Sequence, residues 1–495
     1  MKIVQRVFPV MFAALLIAGC GGEDVSKSGK ASTTTGWEYN NADNGGFEVK
    51  TAMNQETGPG LTLIEGGTFT MGRVQDDVLY EWNNVPRRVT VSSFYMDITE
   101  IRNVDYREYI HWLHRVFGVN NPQVVRNAMP DTLVWRDPMA YNEPFVEYYF
   151  RYPSYNEYPV VGVNWLQAND YCLWRTDRVN EMILVNLGHI ALSTDQQDER
   201  NFNTEAYMYS LYNPTIENPV ESLDPTQESR LYTIEDGVFL PKYRLPTEAE
   251  WEFAALGLIG NSVDELVWER RTYPWNGHNV RNDDPRHMGE MRANFTRGKG
   301  DMMGVAGSLN DNASIPAPVK SYWPNDYGLY CMAGNVNEWV LDVYRPMTFN
   351  DVSGFQPFRG NEYDKMQLDA NNKPMLDSLG RVKRVPITEA DAEGRYNYRK
   401  SDYRNYLDGD MTSVFTEGSL HDTADYRGSG NMYVFNDYEQ SSLVNDNVRV
   451  YKGGSWKDRA YWLSPGERRF LLETESRDDL GFRCAMTRVG SPSGF

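Results

Sequence analysis

The sequence is poor in the residues that most metal, redox and nucleophilic sites need. Its 495 residues include four cysteines and six histidines. No Cys-x-x-Cys, His-Glu-x-x-His, Gly-x-Ser-x-Gly or P-loop pattern occurs in it. The zinc, serine-hydrolase and nucleotide-binding functions that depend on those spacings therefore have no support in this chain.

Basic charge and long apolar runs are also scarce. The net charge is −20, which argues against a nucleic-acid partner because such proteins need a basic surface to displace counterions. Beyond the N-terminus no run approaches the ~20 apolar residues of a membrane-spanning helix. With 41% hydrophobic and 24% charged residues, the composition is that of a globular protein.

The N-terminus has the layout of a secretory signal. Lys2 and Arg6 precede an apolar run, and small residues lead directly to Cys20. A cysteine at this place is typical of bacterial lipoproteins, in which its thiol is acylated, and several acyl chains give stable anchoring. The alternative is a secreted protein in which Cys20 is incidental. We predict a signal peptide over 1–19 and, from the Gly-, Ser-, Thr- and Asn-rich composition, a flexible tether over 20–57.

The rest of the chain mixes strand and helix signals without regular alternation. The segment 61–72 alternates apolar and polar residues around two glycines, which predicts a hairpin, and 88–98 predicts one strand. A helix is expected from near Asn164. Another is expected after Thr247, which forms a capping box with Glu250. These signals predict an α+β fold with much irregular chain.

Several motifs stand in an order that resembles one known family. They are 63–72 (LIEGGTFTMG), 244–252 (RLPTEAEWE), 334–339 (GNVNEW), 452–456 (KGGSW) and 481–484 (GFRC). The series resembles the formylglycine-generating enzyme, or sulfatase-modifying factor, family. The resemblance implies one domain over 58–490 with a loop-rich α+β fold related to C-type lectins.

A narrower resemblance rests on 174–180 (WRTDRVN), 202–207 (FNTEAY) and 240–243 (LPKY). These segments are similar to the gliding-motility and type IX secretion lipoproteins of Bacteroidota, first the GldJ type and second the GldK (PorK) type. The resemblance implies an outer-membrane lipoprotein that faces the periplasm. Display on the cell surface is the alternative, because the acidic Glu23 and Asp24 follow Cys20 closely. The resemblance also implies partners among the GldK- and GldN-type ring proteins of that machinery.

The resemblance also implies that the active site has changed. The family's oxidases bind Cu(I) with two cysteines shortly after the Gly-Gly-Ser motif, and soft thiolates suit copper(I). The corresponding positions hold Asp458 and Leu463. We therefore expect no copper and a non-catalytic scaffold. The alternatives are an enzyme with altered chemistry in the same cleft, or a lectin-like ligand-binding lipoprotein. Asp458, Arg459, Glu467 and Arg468 are charged groups that could act in a cleft, but we expect them to be solvated loop residues.

Calcium is a further implication of the resemblance. One family site is matched here by Asn294, Phe295, Asp311 and Ala313, which would supply the hard oxygen ligands that calcium prefers. A turn held only by hydrogen bonds is the alternative. A second site is matched by Gly334, Val336 and Glu338, but Cys331 replaces its asparagine.

The resemblance further implies a disulfide between Cys172 and Cys484, which leaves Cys331 unpaired. Two buried thiols are the alternative. Relative to a minimal family domain, the chain has insertions at about 115–157, 178–240 and 345–446. The last is rich in Tyr and Arg, which suits either a contact surface or a solvated excursion.

Overall fold

A computed structural model describes residues 31–51, 54–72, 84–257, 271–297, 315–344, 354–355, 357–361, 363–387 and 447–490. The predicted lipidation site at Cys20 and the predicted calcium ligands Asp311 and Ala313 lie outside these residues. The chain divides into a small unit, Met1–Asn54 with Glu221–Arg230 and Ser491–Phe495, and a large unit formed by the rest. Within the described residues, no helix is both long and apolar enough to cross a bilayer.

The described residues form six α-helices and fourteen strands. The helices are α1 (Asn103–Phe117), α2 (Pro122–Ala128), α3 (Glu143–Tyr148), α4 (Trp165–Asn186), α5 (Thr204–Met208) and α6 (Glu248–Leu256). The strands are β1 (Leu61–Ile64), β2 (Gly67–Met71), β3 (Arg87–Val91), β4 (Phe94–Asp97), β5 (Val220–Glu221), β6 (Ser229–Arg230), β7 (Tyr243–Arg244), β8 (Asn337–Val343), β9 (Asp364–Met366), β10 (Arg384–Pro386), β11 (Val448–Lys452), β12 (Arg469–Leu472), β13 (Leu480–Gly481) and β14 (Ala485–Thr487).

Two four-stranded sheets form the framework of the large unit. The first has the order β1-β4-β14-β7 and is antiparallel throughout. The second has the order β12-β11-β8-β13, in which only the short β13 runs parallel to its neighbour. The first sheet joins strands near the two ends of the sequence, whereas every strand of the second lies between residues 337 and 481. The mixture of helices, antiparallel sheets and long irregular segments confirms the predicted α+β class.

The hairpin predicted over 61–72 is wrong. β1 pairs with β4, whereas β2 pairs with β3 in a separate two-stranded sheet. The chain passes between these sheets at Gly66, where a Cβ would lie 2.3 Å from the Val91 carbonyl oxygen. The glycine thus serves a close backbone approach rather than a tight turn. The strand predicted over 88–98 is likewise interrupted, since β3 and β4 belong to different sheets.

Both predicted helix starts are confirmed. The Asn164 side chain accepts a hydrogen bond from the Gln167 N–H at 2.9 Å, and the Gln167 side chain accepts one from the Asn164 N–H. Thr247 and Glu250 form the same reciprocal contacts at the start of α6. Every residue of α6 is buried, so this helix stands inside the large unit and packs on β2, β3 and β8.

An aromatic cluster joins α1 and α4 to the C-terminal part of the chain. The Tyr106 and Tyr171 rings are stacked at 5.6 Å, and Tyr109 lies 5.2 Å from Trp174. Tyr171 also meets the Phe482 ring edge-on at 5.4 Å. Such ring pairs add about 0.5–1.5 kcal/mol each beyond their buried area, and they fix the helices against the strand region that carries the site.

The described part of the predicted tether has local structure of its own. Within the small unit, Glu48 accepts a hydrogen bond from the Leu223 N–H at 3.0 Å and forms an ion pair with Arg230 at 2.6 Å. The strands β5 and β6 pair beside it. The tether boundaries remain a prediction.

Two of the predicted insertions contact each other in the large unit. The Asn201 side chain donates a hydrogen bond to the Leu379 carbonyl at 2.7 Å, and Arg384 forms an ion pair with Glu205. The described residues 363–387 therefore pack on the insertion predicted over 178–240.

Candidate functional site

The candidate site is built on the loop that follows β11. Gly453 and Gly454 have φ angles of 102° and 71°, in the left-handed region that favours glycine. A Cβ on Gly454 would lie 2.8 Å from the Trp462 carbonyl oxygen. This tight turn lets the chain fold back so that Asp458 and Leu463 stand beside the second sheet.

Asp458 is fully engaged by neighbouring side chains. Its two carboxylate oxygens each lie 2.8 Å from a guanidinium nitrogen of Arg469. Ser455 donates a hydrogen bond from Oγ at 2.7 Å, and Asn337 donates one from Nδ2 at 3.3 Å. Burial alone would raise the pKa of Asp458, but the Arg469 guanidinium and these hydrogen bonds hold it below its usual value. The residue is therefore ionised and paired at neutral pH.

Leu463 offers no ligand atom and is completely buried. It packs in a small hydrophobic cluster formed with Met291, Ala293, Phe295 and Ala333. The second position that the resemblance assigns to a copper cysteine is thus part of a hydrocarbon core.

A second carboxylate completes a charged network beside Asp458. Asp479 is fully buried and is held by Arg477, at 2.8 and 2.9 Å, and by the Ser455 hydroxyl at 3.1 Å. Arg469 in turn lies over the Trp462 ring at 4.6 Å. Two carboxylates and two guanidinium groups thus satisfy one another, so the arrangement holds the loop in place and leaves neither carboxylate unpaired to act as a base.

The prediction that the charged side chains near the Gly-Gly-Ser motif are exposed to solvent is wrong for Glu467 and Arg468, since both are buried. Arg468 pairs with Glu248 at 2.9 Å. Lys452 pairs with Glu248 at 3.3 Å and with Glu252 at 2.9 Å. The two acidic residues come from α6, where the sequence pattern predicts only a helix start, and no local pattern indicates that they pair with Lys452 and Arg468.

The second predicted calcium set does not fit a metal through its carboxylate. Glu338 accepts hydrogen bonds from Arg483 at 2.6 Å on each oxygen and from the Trp251 indole at 2.7 Å. Gly334 and Val336 lie in the same buried turn, and Cys331 donates to the Val319 carbonyl rather than to this group.

Of the first predicted calcium set, the structure describes Asn294 and Phe295. Asn294 is buried, and its Nδ2 donates to the Ile315 carbonyl at 2.9 Å. Its Oδ1 is buried and accepts no hydrogen bond from the residues that the structure describes. An orphaned buried oxygen is uncommon and suits a hard cation that the Phe295 carbonyl would also contact. The described ranges contain no group of three His, Cys, Asp or Glu residues that could hold a metal.

The structure brings two of the predicted cysteines together. The sulfur atoms of Cys172 and Cys484 lie 3.2 Å apart, and both residues are buried as thiols. Burial raises the pKa of Cys484. Cys331 belongs to a different hydrophobic cluster. The disulfide itself remains a prediction.

A cleft of about 380 Å³ opens next to the site loop, within the size range of small ligand pockets. Its walls are Val134, Trp135, Arg136, Asp137, Pro138, Asn142, Phe145, Ile315, Trp456, Lys457 and Asp478. The Trp135 and Trp456 rings stack at 6.1 Å, and Lys457 pairs with Asp478. Sequence reasoning missed this cleft because most of one wall comes from the insertion over 115–157.

Comparison with known proteins agrees with the motifs. The formylglycine-generating enzyme of Mus musculus is 25% identical over 360 residues, which cover 68% of this chain and 77% of that protein. The inactive C-alpha-formylglycine-generating enzyme 2 of the same species is 24% identical over 314 residues, 58% of this chain and 70% of that protein. The solved structure of PvdO from Pseudomonas aeruginosa covers 86% of this chain and 94% of its own, with 14% identity and a TM-score of 0.40.

The relatives thus include both an enzyme and a protein named as inactive. The family model for the sulfatase-modifying factor enzyme 1-like domain matches residues 47–488, close to the predicted 58–490. The chain therefore belongs to the sulfatase-modifying factor enzyme 1-like, or formylglycine-generating enzyme-like, domain family.

Proposed function

We propose that this protein is a non-catalytic outer-membrane lipoprotein that faces the periplasm and acts as a scaffold in the type IX secretion and gliding machinery. The observation that carries the non-catalytic part is the pair Asp458 and Leu463. Copper(I) needs soft thiolate ligands. A carboxylate bound by Arg469 and a buried leucine supply none.

The charge network supports the same conclusion. A metal or substrate that used Asp458 would have to displace Arg469, and removing one partner of a buried pair leaves an uncompensated charge at a cost of about 3–5 kcal/mol. The Arg477–Asp479 pair adjoins this place, because Ser455 contacts both Asp458 and Asp479. A site held in this way favours a structural role over turnover.

The inserted segments support the scaffold role. Contacts of Arg384 with Glu205 and of Asn201 with Leu379 join the described residues 363–387 to the insertion over 178–240. A continuous surface of this kind has room for large protein partners, for which GldK- and GldN-type ring proteins are the candidates. The acyl anchor at Cys20 would keep that surface at the membrane, and calcium at Asn294 would stiffen the loop beside the site.

The catalytic part is tested with purified protein, copper(I) and a cysteine-containing sulfatase peptide. The expected result is neither tight Cu(I) binding nor conversion of the cysteine, with the formylglycine-generating enzyme as positive control. Measurable turnover would overturn the proposal.

The scaffold part is tested by affinity purification of the tagged chain from membranes. Wild-type protein should copurify other secretion subunits in fixed proportion. A variant lacking 356–440, closed with a short Gly/Ser linker, should stay folded and lipidated but lose them. Cys20→Ala should release the protein from the membrane. A wild-type protein that copurifies no subunit would contradict the scaffold role.

A further inference from the structure

A run of large apolar side chains lies exposed on one segment of the large unit. Met139 is 94% exposed and Tyr141 is 86% exposed, although residues of these types are usually at least partly covered. We call the group the tyrosine ridge; its members are Leu133, Met139, Tyr141, Tyr148 and Tyr152. Grouped exposed apolar residues mark interaction sites more often than single ones do.

Two ridge members are in direct ring contact. The Tyr148 and Tyr152 rings meet at 6.1 Å. All five members lie on one segment, 133–152, and α3 within it packs on the 3₁₀ turn Thr132–Trp135 that carries Leu133. The exposed side chains therefore lie on one locally packed segment.

The ridge rests on a rigid aromatic base. Beneath it Trp135 lies 4.8 Å from Tyr149, and Tyr149 lies 5.2 Å from Tyr155. The Tyr149 hydroxyl donates a hydrogen bond to the Pro159 carbonyl at 2.7 Å. A preorganised surface loses little conformational entropy when a partner binds. Tyrosine also supplies a large contact area with few rotatable bonds.

The cleft described above adjoins the ridge. Its walls include Trp135, Pro138 and Phe145, which belong to the same segment as the ridge side chains. A side chain of a partner could enter this cleft while the exposed tyrosines cover the surface around it. Central anchors set in pockets are the usual source of most binding energy in protein interfaces.

The charge of this segment narrows the choice of partner. Residues 131–152 carry four carboxylates and two guanidinium groups. One of the latter, Arg136, is already paired with Glu143 at 2.8 Å. An acidic surround disfavours an anionic membrane surface and favours a protein that frames its apolar anchor with Lys or Arg.

We propose that the tyrosine ridge and the adjoining cleft form a docking surface for a protein that presents an apolar anchor with a basic rim. The inference rests on the proposed function, because the partner is expected among the subunits of the same assembly. It differs from that proposal in placing a contact on 131–152 rather than on 178–240 or 345–446.

The test uses the full-length lipoprotein, tagged and expressed in cells. The ridge variant carries Met139→Ser, Tyr141→Ser and Tyr148→Ser, and the matched control carries Met288→Ser and Val489→Ser, which are also exposed. Neither set should change the melting temperature, because surface substitutions rarely affect stability. The ridge variant should copurify at least one secretion subunit about tenfold less. Raising the salt concentration should also weaken copurification by the wild type, because salt screens the attraction to a basic rim.

A photo-crosslinking residue at position 141 identifies what touches the ridge. A crosslink to a Lys- or Arg-rich peptide of the subunit that the ridge variant loses would support the inference. Crosslinks only to lipid, or an undiminished subunit in the ridge variant, would overturn it. If the wild type also copurifies no subunit, the proposed scaffold function fails as well, so the two failures are distinguishable.

Discussion

Arg469 binds Asp458 in a bidentate ion pair, in which Nη1 and Nη2 each lie 2.8 Å from a different carboxylate oxygen. The aspartate lies in the loop after β11, and the arginine is the first residue of β12. Because these strands pair antiparallel, the ion pair fastens the loop across the strands that flank it. At the position that the resemblance assigns to a copper thiolate, the chain has a structural ion pair.

This ion pair predicts an acid-dependent loss of stability. Asp458→Asn should lower the free energy of unfolding at neutral pH by roughly 2–4 kcal/mol, because it leaves Arg469 without its counter-charge. The folded-state pKa of Asp458 is depressed, so its contribution is present at neutral pH and is lost as the pH falls below about 4. Urea unfolding at neutral and acidic pH should show the wild type and variant converging. A difference that stays constant across this range would contradict the prediction.

The pair of Glu338 and Arg483 should be among the most sensitive contacts in the fold. Both side chains are completely buried, so Glu338→Gln should cost about 3–5 kcal/mol of unfolding free energy. Glu157→Gln is the control, since Glu157 pairs with Arg102 at 2.9 Å but is 61% exposed, and it should cost less than about 1 kcal/mol. Equal losses in the two variants would show that the buried pair is not structural.

Local signals in the sequence predicted the helix starts correctly. The strand pairings were predicted wrongly because they depend on residues that are distant in the sequence. A capping box such as Thr247 with Glu250 needs only residues three apart, so its pattern is readable without the fold. The partner of β1 lies some thirty residues away in β4, and the alternation over 61–72 carries no information about it. The two glycines there signal a turn equally well as a close approach.

In the candidate site, too, the residues of a local motif could be predicted and their distant partners could not. The motif order located Asp458 and Leu463, because both positions are counted from one Gly-Gly-Ser turn. The partner Arg469 could not be assigned, since it is selected by the register of β11 and β12. Arg468 looked like a solvated loop residue because its buried partner Glu248 is 220 positions away in sequence.

Calcium should stabilise the protein through Asn294. Its Oδ1, which accepts no hydrogen bond from any described residue, would gain a ligand bond. An ion that binds only the folded state adds about 2.7 kcal/mol at a hundred times its dissociation constant. The melting temperature should therefore rise with calcium and fall with a chelator in the wild type but not in Asn294→Ala. Asn282→Ala is the control, because the Asn282 Oδ1 already accepts from the Asp284 N–H at 3.0 Å. An unchanged melt with no metal by elemental analysis would reject the site.

The adjacent sulfurs of Cys172 and Cys484 should be linked in protein purified from an oxidising compartment. The bond would close a separation of 312 residues, for which chain-entropy models give about 5 kcal/mol at most. A reducing agent should lower the melting temperature of the wild type and of Cys331→Ala, but not of the double variant Cys172→Ala and Cys484→Ala. Peptide mapping that finds thiols at 172 and 484 open to alkylation would exclude the bond.

Asp342 should make the protein less stable as the pH rises toward neutrality. Burial, and then the nearby Glu248 carboxylate, raise its pKa to about 7, although it accepts a hydrogen bond from the Glu248 N–H at 2.7 Å. Between about pH 4 and pH 7 the unfolded chain has released this proton and the folded chain still holds it. The unfolded state therefore binds fewer protons, and stability falls with increasing pH by at most about 1.4 kcal/mol per pH unit.

Asp342→Asn cannot ionise and should remove this slope. The asparagine keeps an acceptor for the N–H group at the start of α6. Urea unfolding at several pH values in that window should show the free energy of unfolding of the wild type decreasing relative to that of the variant as the pH rises. A difference between the two proteins that is independent of pH, or one that shifts in favour of the wild type at higher pH, would mean that Asp342 is ionised in the folded chain.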